Sequence, residues 1–211
     1  MLTTLNISKY PFDMSGIIPE HDLVIKSYQN LQPVKTGDAL PNFSLQKENT
    51  MWQQFLNGAV IQEPVLFSQF LNKPLVIGFY SRHWQQHGLD LLRQLNMVQP
   101  DIKERGGSLL IISSEKNRSL EKVVWDNNLS LSFYFDKEKE IAEKFRIYSE
   151  DDPIWNRFSG IDTNVPLLAT YVISPVGQIE YDHVDPDFSK DFPSKDIISA
   201  VQRARRPEIR I

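Results

Sequence analysis

Two nearly unbroken apolar runs, LVIGFY at Leu75–Tyr80 and SLLIIS at Ser108–Ser113, most restrict what this chain can become. Runs of this kind, without polar alternation, read as strands buried on both faces of a sheet. Between them Leu91, Leu95, Val98 and Ile102 recur at steps of four, three and four, which puts them on one face of a helix. Gly106 and Gly107 follow, where a left-handed cap ends such a helix. Strand, long helix and strand at this spacing predict a right-handed βαβ unit with parallel strands.

The rest of the pattern extends that unit. RSLEKVVWDNN reads as a helix, LSFYFD as a strand, and KEKEIAEKF as a helix capped by Asp136. LATYVIS, the turn PVGQ and QIEYDHV predict an antiparallel hairpin. Ser194 is expected to cap a last helix that turns Ile197, Ile198 and Val201 inward. Upstream, TGDALPNFSLQ alternates at Phe43 and Leu45 and reads as an edge strand. PVLFSQFLNK suggests a short helical turn, and HDLVIKSYQNL a short helix. Residues 146–166 form a polar insertion with a helical turn around Pro153 to Phe158. The expected fold class is α/β: a mixed central β-sheet flanked by helices, formed by residues 34–211, with an N-terminal extension at 1–33.

Composition removes several functions. The net charge of −4 argues against a general nucleic-acid binder, which carries a basic face. The basic stretch QRARRPEIR is read as a solvated helix end, with cations at the negative pole of the dipole. No apolar run approaches the roughly 20 residues of a membrane span. The first residues lack a basic start followed by an apolar core, so no secretory signal is expected and a cytoplasmic protein is the default reading. The chain has no cysteine. Disulfides, thiolate catalysis and thiolate metal ligands are thereby excluded.

Four stretches, in order, resemble the peroxiredoxin-like proteins of the alkyl hydroperoxide reductase/thiol-specific antioxidant family. KTGDALPNFSL is similar to the family's opening segment, often vGd.aPdFtL. FYSRHWQQHGLDLLRQLN resembles its active-site elbow, FYRG.WCP.CN.EL..L. GGSLLIIS resembles the next strand, and LLATYVISPVGQIEYDHVDPDF the late hairpin. The resemblance spans about residues 34 to 203 and implies a thioredoxin-like fold. It also implies, position by position, that Trp84 is the family tryptophan, Gln85 stands for the peroxidatic cysteine and Gly88 for the second cysteine. Leu168 takes the place of the proline in VPAT, with Pro166 two residues earlier. A homodimer is implied in the same way.

Glutamine cannot replace the cysteine chemically, because the family reaction needs a thiolate that becomes a sulfenic acid. The Gln85 carbonyl is expected instead to accept a free N–H of the helix start. No thiol peroxidase activity and no cofactor are expected. The leading expectation is a binding or interaction module, its partner an unidentified protein or a small anion. The alternative is a non-thiol enzyme, or an anion- or metal-binding protein, using Arg82, His83 and His87. Arg82 beside a helix N-terminus suits a carboxylate or phosphate. His83 and His87 share a helix face but make half a metal site; His183, Asp185 or Asp187 would have to complete it. Two solvent-facing histidines are the simpler reading, so no metal is assigned. Ser81 lacks a GxSxG elbow and any clear acid to orient a histidine base, and reads as a polar strand end.

Overall fold

The computed structural model describes residues 31–63, 70, 72–116, 118–154, 160–184 and 191–205. The expected helix at 21–31 and helical turn at 64–73, the turn around Pro153 to Phe158, the acids Asp185 and Asp187, and the basic C-terminal residues lie wholly or mostly outside them.

The elements are β1 (Trp52–Leu56), β2 (Ala59–Ile61), β3 (Leu75–Tyr80), α1 (Gln85–Glu104), β4 (Ser108–Ser113), α2 (Arg118–Asp126), β5 (Ser132–Phe135), α3 (Glu140–Lys144), β6 (Ala169–Ile173), β7 (Ile179–Val184) and α4 (Ser194–Ala204). They build one seven-stranded mixed sheet in the order β2-β1-β5-β4-β3-β6-β7. β3, β4 and β5 run parallel, and β1, β6 and β7 join antiparallel. The βαβ unit is present, with Leu75 opposite Ser108 and Tyr80 opposite Ser113.

The apolar strands work as two-sided elements because successive side chains leave the sheet on opposite faces. Ile77, Phe79, Leu110, Ile112 and Tyr171 enter one core with Phe145 and Trp84. Val76, Leu109, Ile111 and Val172 enter the other, against Leu92, Leu95 and Ile102 of α1 and Ile197 and Val201 of α4. α3 covers the first face through Ile141 and Ala142, so helices flank both. Gly78 lets α1 sit close: a Cβ there would lie 2.5 Å from Leu95 Cδ1.

Two local expectations need correction. Phe43 and Leu45 form no strand; they are half-buried against the first core, and pairing is confined to the bridge between Ala39 and Gln178. The sheet edge comes instead from the β1–β2 hairpin, turned by Asn57 and Gly58 with φ of 48° and 82°. That Asn-Gly turn is the two-residue signal that was overlooked. Ser194 is the first residue of α4 and not its cap; Pro193 holds the capping position without a side-chain hydrogen bond. Asp136 does serve α3, its Oδ2 accepting the N–H groups of Ile141 at 2.9 Å and Ala142 at 3.2 Å.

Candidate functional site

β3 and β4 end side by side, so the residues that follow them meet. Ser81, fully buried, leaves β3 and donates its hydroxyl to Glu115 Oε1 at 2.6 Å. Glu115 stands two residues after β4. Its other oxygen accepts the Arg82 N–H at 3.0 Å. Ser81 Oγ accepts the His83 N–H at 3.2 Å. A short turn, Arg82–Trp84, is thereby tied at its start before α1 begins.

The histidine ring lies between two acids. His83 Nε2 is 3.8 Å from Glu115 Oε1, and Nδ1 is 3.7 Å from Asp162 Oδ1. Arg82 is exposed, and its Nη1 donates to Ser119 Oγ at 3.4 Å. Tyr80, beneath the elbow, has its phenol pushed up to about 12 by burial and by the Glu115 carboxylate, against the opposing pull of Arg82. Burial disfavours the phenolate because water no longer solvates its charge.

Trp84 is buried and donates its indole N–H to the Pro166 carbonyl at 2.8 Å, joining the elbow to the loop before β6. No cis peptide bond occurs among the described residues, so Pro166 is trans. Leu168, half-buried in that loop, packs against both cores.

Gln85 departs from expectation. It is exposed, with φ 48° and ψ −121°, a backbone region that favours glycine. Such a residue stores on the order of 1–3 kcal/mol of strain. Its side chain donates, Nε2 to the Gly160 carbonyl at 3.2 Å, where a carbonyl accepting from the helix was expected. Gly88 lies against the strand exit: a Cβ there would come within 2.9 Å of the Ser81 carbonyl oxygen and 3.1 Å of the Tyr80 ring.

The structure thus gathers Arg82, His83, Trp84, Gln85 and Gly88 at one elbow, with Leu168 in the adjoining loop. His87 follows on α1, exposed. Among the described residues no three His, Asp or Glu side chains are grouped to hold a metal. Sequence reasoning missed Glu115 and Asp162, and found no acid near Ser81. The signal for Glu115 was its position just after the strand expected to pair with LVIGFY. Its geometry does not make a triad, because Ser81 donates directly to the carboxylate and accepts from the His83 backbone.

Known proteins can be set beside this geometry. Peroxiredoxin Bcp of Escherichia coli K12 is 23% identical over 158 residues, covering 75% of this chain and 89% of that protein. The crystal structure of peroxidoxin BcpB from Mycobacterium tuberculosis matches with a TM-score of 0.54 at 19% identity, over 82% of this chain and 99% of that one. AhpC of Mycobacterium tuberculosis matches with a TM-score of 0.57 at 11% identity, over 84% and 97%. At these identities the structural likeness speaks for the fold, which is thioredoxin-like. The model described as AhpC/TSA family matches residues 36–182, most of the sheet and the whole elbow, and this cysteine-free chain belongs to that family.

Proposed function

We propose that this chain is a member of its family without thiol chemistry, acting as a binding or interaction module, with Gln85 at the position of the peroxidatic cysteine and Gly88 at that of the second. One observation carries the reading: the sequence has no cysteine. Peroxide reduction of the family type needs a thiolate that takes up an oxygen atom and is later reduced. No side chain at this elbow replaces it; a glutamine amide neither ionises near neutral pH nor cycles through a sulfenic acid.

The local hydrogen bonds support a structural elbow. Glu115 already takes the Arg82 amide and the Ser81 hydroxyl. With Asp162 near the His83 ring, the negative charge here disfavours an added small anion. The reading includes a homodimer and a cytoplasmic setting. No helix among the described residues is long and apolar enough to cross a membrane.

The test is hydrogen peroxide consumption with excess dithiol reductant, run with light scattering on the same sample. No consumption above the protein-free blank, together with a dimer mass, is the expected result. Reductant-dependent turnover would refute the loss of peroxidase chemistry, and a monomer would remove the dimer.

A further inference from the structure

At the end of the sheet opposite the elbow, a cleft of about 360 Å³ opens between the C-terminal part of α1 and the starts of β4 and β5. Its walls include Lys73 from the loop before β3, Gln99 and Lys103 from α1, and Phe70 and Leu109. Gln99 is only 8% exposed. Its carboxamide makes no hydrogen bond to any described residue, and its polar atoms are open to solvent rather than sealed in the core. Gln99 and Lys103 are one helical turn apart, on the same face of α1.

The charges around the cleft are also unmatched. Neither Lys73 nor Lys103 is paired with a described carboxylate. The acids nearest in sequence, Asp101 and Glu104, lie 3.5 and 3.9 Å from Arg105 Nη1. Two lysines on separate elements, one glutamine carboxamide and two apolar side chains therefore line one space. That volume falls within the range of small-molecule sites.

The backbone argues for carboxylates over phosphate. Phosphate cradles use free N–H groups. Here the Gly106, Gly107 and Ser108 N–H groups are spent on the carbonyls of Lys103, Ile102 and Pro74. We propose that this cleft binds a small dicarboxylate, its two charges held by Lys73 and Lys103 and one oxygen accepting from the Gln99 amide, with its carbon chain against Phe70 and Leu109. This site is independent of the elbow and of the loss of thiol chemistry.

The test is an NMR titration of the full chain with succinate, with neutral succinamide and inorganic phosphate in parallel. Succinate is expected to move the Gln99 side-chain amide and the Ser108 and Ser132 backbone signals saturably, and succinamide to leave them unmoved. Lys73→Glu and Lys103→Glu should each weaken binding at least about tenfold, since an attractive charge becomes repulsive. Gln99→Leu should also weaken it while keeping the fold, because the carboxamide it removes makes no hydrogen bond to any described residue; its own thermal unfolding checks this. The proposal fails if succinate gives no saturable shift up to roughly 10 mM, the weak end of useful affinity. It fails equally if succinamide or phosphate binds as well as succinate, or if the lysine variants bind unchanged.

Discussion

Ser81 and Glu115 are joined by a 2.6 Å hydrogen bond across the exits of two adjacent parallel strands, and this pair sets the elbow. The hydroxyl is buried and its acceptor is a carboxylate, which makes the bond stronger than a neutral one. The same carboxylate also takes the Arg82 N–H, so one side chain from after β4 orders the turn after β3.

Replacing Glu115 by Ala should therefore unfold the chain more easily, by about 2–3 kcal/mol, because a buried hydroxyl loses its charged acceptor. Urea unfolding should read this as a lower midpoint with an unchanged slope. Glu115→Gln should cost less. An alanine variant as stable as the parent would mean the bond contributes nothing.

Gly88→Ala and Gly88→Cys should both destabilise, by about 1–3 kcal/mol, because the new Cβ meets a backbone carbonyl at 2.9 Å. Restoring a cysteine here is thus opposed by packing. Thermal unfolding of the two variants beside Gln85→Gly provides the contrast. The Gln85 change releases a left-handed backbone and should raise the midpoint, since about 1 kcal/mol of glycine entropy offsets only part of the strain.

Tyr171 packs its ring against Phe79 and Phe145, and its phenol oxygen is buried without a hydrogen-bond partner among the described residues. Burial pushes the phenol pKa up, with the Asp182 carboxylate adding to the shift. Tyr171→Phe should stabilise the protein by about 1 kcal/mol, because an unsatisfied polar atom is removed and the ring stays. A lower denaturation midpoint in the variant would contradict the assignment.

Asp182 predicts an acid limb. Its Oδ1 accepts from the Thr36 N–H at 2.7 Å and the Thr36 hydroxyl at 2.8 Å, and Oδ2 from Lys35 Nζ at 3.1 Å. Burial, the largest single influence, pushes its pKa up, but the Thr36 bonds and the Lys35 ammonium together hold it below the ordinary carboxylate value. A lowered folded pKa gives stability that is complete above the unfolded value of about 3.9 and is lost as pH falls through the lower folded one. Unfolding measured from about pH 6 downward should show a shallower loss in Asp182→Asn than in the parent. Parallel curves would remove Asp182 from the acid response.

Much of the scaffold was legible along the chain. LVIGFY, SLLIIS and the helix face of Leu91, Leu95, Val98 and Ile102 carry their own periodicity, and period follows from backbone geometry alone. The Phe43–Leu45 alternation misled because half-buried extended chain has the same pattern as a strand. Only hydrogen-bond partners distinguish the two, and those lie far away in sequence. The overlooked hairpin at Asn57-Gly58 was a local signal and was available to be read.

At the elbow, the sequence alone determined that no thiolate exists, since chemical identity needs no fold. It also brought Arg82, His83, Trp84 and Gln85 together, as neighbours on one short segment. What only the tertiary structure decided is how they are held: Glu115 arriving from β4, Asp162 and the Gly160 and Pro166 carbonyls arriving from the insertion, and Gly88 pressed against the Ser81 carbonyl. Apart from the Gly88 packing, those contacts join residues 33 to 82 positions apart, so they depend on strand register and helix packing rather than on any local propensity.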